Sequence, residues 1–438
     1  MVSLRRLAGP DDWRRRIVFW GGAIATGAVA VAFAVGSELA SEAFHELRGR
    51  WSWWPFVGAP LGLALAVWTT RRWFAGAEGS GIPQTIAALS LPDEADRDRV
   101  LSLRIAFGKM LVTLLALASG ASIGREGPTV QVGASIMHSL RRYARFPAVD
   151  IDRGLILAGG AAGIAAAFNT PLAGVVFAIE ELSRSFEERA SGVILMAVIF
   201  AGVTAMALVG NYTYFGSTAA ELTEPSMWSV VPVCGIAGGL LGGLFSRTMI
   251  VMRTRLPLPV RRLHTNQPVA FAAACGLLLA GIGWLSGGTT FGTGYVEARD
   301  VLQETADAPA GFFVLKALAT LTSYVTGIPG GIFAPSLAVG AGLGGQLHAW
   351  LPLAPAGAMV LLSMAAYFAG VVQAPLTALV IVTEMTDNRA LMLPLMAAVL
   401  LGRASSALVS REPLYRSLAQ RFLPKPEPVV DGDPGRPQ

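Results

Sequence analysis

The feature that most constrains this chain is a set of long stretches that contain no Asp, Glu, Lys or Arg. The longest covers residues 317–383, where His348 is the one group that could be ionised near neutral pH. Further stretches of this kind lie at 17–37, 51–70, 154–179, 190–220 and 225–246. About 20 apolar residues are enough for a helix to cross a bilayer. The sequence therefore predicts an integral membrane protein with many membrane-spanning helices.

Composition and charge distribution favour the same class of protein. Hydrophobic residues make up 53% of the 438 residues and charged residues 14%, whereas soluble domains contain about 25% charged residues. Long apolar runs exclude an outer-membrane barrel, because its strands alternate apolar and polar residues. The net charge of +5 could indicate nucleic-acid binding, but basic residues cluster at the ends of apolar stretches, as at 14–16 and 71–72. There they orient the helices in the bilayer, and no nucleic-acid partner is predicted.

An internal repeat divides the chain into two related halves. The segment KMLVTLLALASGASIGREGPTVQVGA, from Lys109, aligns without gaps with KALATLTSYVTGIPGGIFAPSLAVGA, from Lys316. Matches at this offset of 207 include Gly124 with Gly331 and Pro128 with Pro335, and at an offset of 204 Pro171 matches Pro375 and Glu180 matches Glu384. Such duplication is typical of transporters with a central site at the repeat interface. The residues alone allow parallel or inverted halves.

The remaining organisation follows from composition. We predict a cytoplasmic N-terminal segment at 1–17, transmembrane halves at 18–220 and 221–420, and a tail at 421–438. The tail is rich in Pro and charge and is predicted to be disordered. No regulatory nucleotide-sensing domain is expected.

Three glycine- and proline-rich segments interrupt the apolar sequence: GSGIP at 79–83, GREGP at 124–128 and GIFAP at 331–335. Glycine lets the entering chain bend, and proline suits the first turn of a helix. Helix starts at membrane depth present unpaired backbone N–H groups and the positive ends of helix dipoles. An anion is the expected partner of such groups. The alternative is three ordinary proline-started helices or kinks without a ligand.

Acidic residues lie within or beside these apolar stretches. Glu126 stands in the second segment, where a carboxylate would resemble a bound anion and a neutral acid could move away. Glu180 and Glu181 end the uncharged stretch at 154–179. Intramembrane acids are typical of proton relays. The alternatives are that Glu126 merely pairs with Arg125, and that Glu180 and Glu181 form a solvated helix end.

Other polar side chains give weaker signals. Cys234 and Cys275 are interpreted as small buried residues, and the four histidines lack the spacing of metal ligands. No metal and no cofactor is predicted. Lys109 and Lys316 are repeat-equivalent and could neutralise buried acids or lie at interfaces. The favoured interpretation is that both side chains snorkel to the membrane surface.

The motifs together resemble the CLC family of chloride channels and proton-coupled chloride transporters. Besides the three glycine-rich segments, the resemblance rests on FNTPLAGVVFAIEE at 168–181, APLTALVIVTEMTD at 374–387 and PLY at 413–415. It covers nearly the whole chain. It implies an all-α polytopic membrane protein of two inverted repeats with tilted and broken helices. A homodimer in the lipid bilayer, in the inner membrane of a bacterium, is expected.

The resemblance also implies the roles of individual residues. Chloride is expected to bind the hydroxyls of Ser80 and Tyr415 and the backbone N–H groups of Ile332 and Phe333. Glu126 corresponds to the gate and external proton acceptor. Glu181 corresponds to the internal proton acceptor. The implied selectivity filter consists of Gly79, Ser80, Gly81, Ile82 and Pro83, of Gly124, Arg125, Glu126, Gly127 and Pro128, and of Gly331, Ile332, Phe333, Ala334 and Pro335.

Chloride/proton exchange is the predicted function, and the chain is not expected to be an enzyme. GSGIP together with GREGP argues against fluoride, and Ser80 in place of Pro argues for chloride over nitrate. One alternative is a passive voltage- or pH-gated chloride channel of the same fold. Another is an intramembrane hydrolase that uses Glu126 and a hydroxyl such as Ser80, which would need a base and oxyanion donors.

Overall fold

The computed structural model describes residues 10–143, 149–183, 188–210, 212–255, 257–306 and 308–424. Over these residues the regular structure is helical, and no β-strand forms among them. The predicted all-α class is confirmed.

The first half contains the longest helix of the described chain and several very short ones. Its helices are α1 (Pro10–Arg50), α2 (Pro55–Trp73), α3 (Ile82–Ser90), α4 (Glu94–Asp98), α5 (Leu103–Leu117), α6 (Glu126–Ser139), α7 (Val149–Phe168), α8 (Pro171–Phe177) and α9 (Glu188–Val209). A 3-10 turn at Leu140–Arg142 follows α6, and a π-helical turn at Ala178–Ser183 follows α8.

The second half repeats this alternation of long and short helices. Its helices are α10 (Val230–Thr254), α11 (Leu258–Asn266), α12 (Pro268–Leu285), α13 (Tyr295–Leu302), α14 (Phe312–Val325), α15 (Phe333–Trp350), α16 (Ala356–Val372), α17 (Pro375–Thr386), α18 (Met392–Val409) and α19 (Leu414–Ala419). Short 3-10 turns lie at Pro225–Ser229 and Gln420–Phe422.

Length and hydropathy identify the helical stretches that can cross a bilayer. Within the described residues six qualify: Trp13–Arg50, Glu94–Leu117, Gly192–Val209, Pro225–Met252, Pro268–Leu285 and Met392–Val409. Helices α14, α16 and α17 are apolar but shorter. Helices α3 and α8, with 9 and 7 residues, are too short to span alone. The mixture agrees with the predicted polytopic fold of broken helices.

The two ends of the chain differ in part from the simple segments expected. Helix α1 begins at Pro10, so the described part of the predicted N-terminal segment 1–17 is helical. The predicted tail 421–438 overlaps the turn Gln420–Phe422. Residues before Pro10 and after residue 424 lie outside the described residues.

Glycines allow neighbouring helices to pack with their backbones in contact. A Cβ on Gly133 of α6 would collide with the carbonyl oxygen of Gly159 in α7, and the reverse also holds. The equivalent Gly340 of α15 lies against α16, where a Cβ would be 2.6 Å from the Cα of Met364. Without a hydrophobic drive between helices in lipid, small residues permit such close packing. The same solution therefore occurs in both halves.

A reciprocal backbone contact relates the two halves. The N–H of Gly124 donates to the carbonyl of Gly331 at 2.7 Å, and the N–H of Gly331 donates to that of Gly124 at 2.6 Å. The two glycines are repeat-equivalent, and their bridge is antiparallel. A contact between equivalent residues that run in opposite directions requires a twofold relation between the halves. This local twofold relation agrees with the inverted repeats that the resemblance implied.

Candidate functional site

The three glycine-rich segments lie side by side and are joined by backbone hydrogen bonds. The N–H of Gly79 donates to the carbonyl of Ile328 at 3.2 Å, and the N–H of Gly330 donates to the carbonyl of Gly79 at 3.1 Å. The Gly124–Gly331 bridge joins the second segment to the third. Because α3, α6 and α15 begin from these segments, three helix N-termini converge here.

Glycine is required where the first segment touches the second. Gly81 has φ +100°, a left-handed conformation that other residues rarely adopt. A Cβ on Gly81 would lie 2.8 Å from the carbonyl oxygen of Gly127, and a Cβ on Gly127 would collide with Oγ of Ser80. The Ser80 hydroxyl therefore lies directly against the first turn of α6.

Two buried hydroxyls belong to this region. Ser80 is 1% exposed and Tyr415, on α19, is 0% exposed. Neither hydroxyl forms a hydrogen bond of good geometry within the described residues, although that of Ser80 lies within range of the Tyr415 oxygen. A buried polar group left without a partner costs about 1–3 kcal/mol. The pair is suited to a ligand that accepts hydrogen bonds from both.

The start of α15 lies next to Tyr415. Phe333 is the first residue of the helix and Ile332 precedes it, and the first N–H groups of a helix have no partner within the helix. The ring of Phe333 lies 5.8 Å from that of Tyr415 and 4.7 Å from that of Phe368, centroid to centroid. Aromatic packing thus fixes the Tyr415 side chain beside the helix start.

Glu126 is the first residue of α6, and its side chain is fully buried. A Cβ on Gly124 would collide with its Oε2 atom, so the carboxylate folds back over that glycine. The backbone N–H groups of Arg125, Glu126 and Ala334 are its polar neighbours, although no contact has full hydrogen-bond geometry. Since Ala334 belongs to α15, the carboxylate lies between the starts of two helices, where negative charge is stabilised.

Arg125 is engaged elsewhere. Its Nη1 donates to the backbone carbonyl of Ala34 at 2.5 Å and forms an ion pair with Glu38 of α1 at 3.2 Å. The guanidinium carbon lies 6.0 Å from the centre of the Tyr214 ring, within cation–π range. The ion pair that the structure gives Arg125 is therefore with Glu38, which removes the basis for reading Glu126 as simply the partner of Arg125.

Glu181 lies in the π-helical turn that follows α8 and is 1% exposed. Burial rules out the alternative that this side chain belongs to a solvated helix end. The Tyr415 hydroxyl is within electrostatic range of both Glu181 and Glu126. Tyr415 is therefore a polar group shared between the neighbourhoods of the two acids.

The interpretation of the two lysines as snorkelling side chains is wrong. Lys109 and Lys316 are both fully buried. Lys109 donates to the carbonyl of Gly79 at 2.8 Å, and Lys316 donates to those of Thr290 and Gly292 at 3.0 and 2.8 Å. A buried ammonium needs such acceptors. Lys109 thereby supports Gly79, the residue next to Ser80. In the sequence, the match between the repeats was the one indication of this role.

A cavity of about 500 Å³ lies beside this region. Its lining includes Glu38, Arg125, Tyr214 and Glu297. Because Arg125 lines the cavity, the cavity reaches the second glycine-rich segment at the residue next to Glu126.

The placement of His, Cys, Asp and Glu side chains determines whether a protein can hold a metal ion. In the part of the chain that the structure describes, no group of three or more His, Cys, Asp or Glu residues is placed to hold a metal ion. Cys234 and Cys275 are buried and free of a disulfide.

Comparison with known proteins gives a consistent picture. A family model described as voltage gated chloride channel matches residues 62–407. Two similar curated proteins are both named H(+)/Cl(-) exchange transporter ClcA. The protein from Cronobacter sakazakii is 31% identical over 85% of this chain and 80% of its own length. The protein from Klebsiella pneumoniae is 30% identical over 97% of this chain and 93% of its own length.

Solved structures share the fold. A slow cyanobacterial Cl⁻/H⁺ antiporter superposes with a TM-score of 0.80 at 26% identity, covering 92% of this chain and 97% of that structure. A CLC-type fluoride/proton antiporter gives a TM-score of 0.78 at 21% identity, covering 93% and 99%. At that identity the second likeness shows the fold alone.

Proposed function

The chain belongs to the voltage gated chloride channel family, and we propose that it works as a secondary transporter that exchanges chloride for protons. It is an integral membrane protein, and we place it in a bacterial inner membrane. The curated relatives that cover most of the chain are exchange transporters, which favours exchange over passive conduction. They also set aside the intramembrane hydrolase, since neither relative is an enzyme.

One observation carries the assignment of the anion site. The hydroxyls of Ser80 and Tyr415 are buried without a good hydrogen-bond partner, beside three converging helix N-termini. We assign chloride to this position, held by the two hydroxyls and by the backbone N–H groups of Ile332 and Phe333. Both hydroxyls can donate to an anion at this position, and helix starts favour negative charge.

Glu126 is assigned as the gate and external proton acceptor. As a carboxylate, it occupies the helix-start N–H groups as an anion would and so blocks chloride. Once protonated it has no charge to hold it there, and its side chain can rotate away with the proton while chloride enters. One side chain thus excludes the anion or carries the proton, which is the requirement for coupled exchange.

Glu181 is assigned as the internal proton acceptor. Its burial and its placement near Tyr415, whose hydroxyl is also within electrostatic range of Glu126, support this role. Intramembrane acids of this kind are typical of proton relays. Two acids on either side of one anion site would allow protons and chloride to enter from different directions.

Assembly as a homodimer is a further part of the proposal. Leu172 of α8 and Leu376 of α17 occupy repeat-equivalent positions and are 65% and 56% exposed in the single chain. A second copy of the chain would cover these two apolar side chains as effectively as lipid does. Chemical cross-linking in native membranes is expected to trap a species of twice the chain mass, and a monomer at all cross-linker doses would contradict the assembly.

The decisive experiment uses purified protein in vesicles loaded with chloride. An imposed chloride gradient is expected to drive protons uphill, as recorded with a pH electrode. Brisk chloride flux with no proton movement would instead identify the passive channel. Absence of both fluxes from correctly inserted protein would contradict chloride transport itself.

A further inference from the structure

Two glutamates hold helix starts in the opposite half of the molecule. The Glu180 carboxylate accepts hydrogen bonds from the N–H groups of Leu376 and Thr377, at 3.1 and 2.6 Å. These groups open α17. In the other direction, the Glu384 carboxylate accepts hydrogen bonds from the first N–H groups of α8, those of Leu172 and Ala173, at 3.1 and 2.7 Å. Glu180 and Glu384 are repeat-equivalent. The twofold rotation that relates the halves therefore places each of these two contacts on the other.

Neither helix has another capping side chain. Thr170 stands at the N-cap of α8 but makes no side-chain capping bond, and Ala374 at the N-cap of α17 has no group that could make one. The first N–H groups of each helix would otherwise remain without a partner. A carboxylate there satisfies two donors and complements the helix dipole. Each short helix is thus held at its start by a glutamate of the other half.

The symmetric caps serve helices that lead to different side chains. Helix α8 runs directly into the π-helical turn Ala178–Ser183, which contains Glu181. Helix α17 contains Glu384 and places Met385 at the position equivalent to Glu181. A π-turn within a helix frequently marks a functional site. Only the cap on α8 therefore acts on a helix that delivers an ionisable group to the interior.

We propose that Glu384 is a positioning residue for proton transfer at Glu181, acting through α8. The inference rests on the proposed role of Glu181. With seven residues, α8 has two turns between its capped start and the π-helical turn. A shift at Leu172 and Ala173 is therefore passed along a short, stiff element to Glu181. Glu384 itself touches neither chloride nor the reacting proton.

The test replaces Glu384 in the full-length protein and measures proton and chloride fluxes in the same vesicles. Loss of a helix cap changes equilibria by about threefold to tenfold, so Glu384→Ala is expected to lower protons moved per chloride by that factor. Chloride flux is expected to persist. Glu384→Gln keeps one oxygen that can accept a hydrogen bond, and an intermediate ratio is expected.

A matched control is available in the same half. Glu304 accepts a hydrogen bond from the N–H of Gly357 at 3.1 Å, at the start of α16, and α16 contains none of the proposed site residues. Glu304→Ala is expected to leave the ratio of protons to chloride unchanged. An equal fall in both variants would show that any lost cap lowers coupling and would overturn the specific role of Glu384.

A double variant separates positioning from general destabilisation. In a Glu181→Gln background there is no acid to position, so Glu384→Ala is expected to cause no further fall in proton flux. An unchanged ratio in Glu384→Ala, while Glu181→Gln loses coupling, would refute the inference and leave the proposed function intact. Full coupling in Glu181→Gln would instead refute the proposed role of Glu181, on which the inference rests, and would leave chloride/proton exchange itself in place. If Glu384→Ala does not fold, Glu384→Gln decides by the same criteria.

Discussion

The two halves of the molecule share a backbone but differ in the side chains that can hold a proton. Glu126 opens α6, and the equivalent residue that opens α15 is Phe333. Glu181 follows Glu180, and the residue after the equivalent Glu384 is Met385. Both proposed proton carriers therefore belong to the first half. In the proposed mechanism, the anion site needs helix starts from both halves, whereas coupling to protons arises where the halves differ in sequence.

Shared residues support this division of roles. The lysine pair, the capping glutamates and the prolines at the helix starts are retained in both halves at constant offsets. The lysines and glutamates bind backbone groups, and the prolines suit the first turn of a helix. These residues therefore maintain the common architecture. A duplicated scaffold can therefore keep its geometry while one copy acquires acidic side chains.

The largest expected effect comes from removing the acid at the start of α6. Glu126→Ala deletes both the blocking carboxylate and the proposed proton carrier. Chloride is expected to move passively down its gradient, with no measurable proton transport and no response to pH. Paired pH-electrode and chloride-electrode recordings check this. If the folded variant still moved protons against their gradient, the exchange mechanism would be wrong.

The second-largest expected effect is the loss of proton flux when Glu181 is replaced, and its control is a substitution of the counterpart Met385. Glu181→Gln keeps the side-chain shape but cannot carry a proton, so proton flux is expected to fall by about 100-fold, the scale of a positioned proton-transfer group. Chloride flux should persist. The control Met385→Leu is a volume-conserving change in the core, which costs less than about 1.5 kcal/mol, and coupling should be unaltered. Equal loss of coupling in both variants would contradict the difference between the halves.

A smaller effect concerns the hydroxyl that each half contributes to the anion site. Ser80→Ala and Tyr415→Phe each remove one donor to a charged ligand, worth about 1.5–3 kcal/mol. Chloride binding measured by calorimetry is expected to weaken by about tenfold to 100-fold in each variant. Unchanged affinity in either variant would remove that hydroxyl from the anion site.

The smallest expected effect is on chloride affinity, and it differs between substitutions of the two buried lysines. Lys109→Met removes one of the two donors to the Gly79 carbonyl next to Ser80 and leaves the Gly330 N–H as the other. Loss of one hydrogen bond costs about 1 kcal/mol, so chloride binding is expected to weaken by about threefold to tenfold. Lys316→Met affects the carbonyls of Thr290 and Gly292, which lie outside the glycine-rich segments. Its chloride affinity should equal that of the parent protein. Equal weakening would mean that the lysines act through their charge rather than through local backbone support.

Much of the fold could be predicted from the sequence because the decisive signals are local or repeated. Charge-free stretches require helices in a bilayer, and the ungapped match from Lys109 to Lys316 reveals the duplication. The three glycine-rich segments indicate helix starts without reference to any contact. Inversion of the halves could not be predicted from spacing alone, since it depends on how Gly124 and Gly331 meet.

Residues that act across long sequence distances escaped prediction. Tyr415 looks like an ordinary interfacial aromatic until Phe333 is seen beside it, and only the resemblance to a family identified it. Lys316 was misinterpreted because its carbonyl acceptors come from a loop before α13. Glu384 gave a signal in its match to Glu180, but nothing in either segment indicates that each caps a helix of the other half.

The Gly124–Gly331 bridge has a consequence for the speed of the transport cycle. Separating these two strands of backbone would leave two buried pairs of polar groups unmatched, each at a cost of about 1–3 kcal/mol. The distance between the starts of α6 and α15 is therefore held constant while anions pass. Side-chain rotation takes place in picoseconds to nanoseconds for unhindered groups, and relative motion of domains in microseconds to milliseconds. Glu126 is fully buried, so its side chain rotates more slowly than an unhindered one, but in the proposed mechanism its rotation needs no relative motion of the two halves.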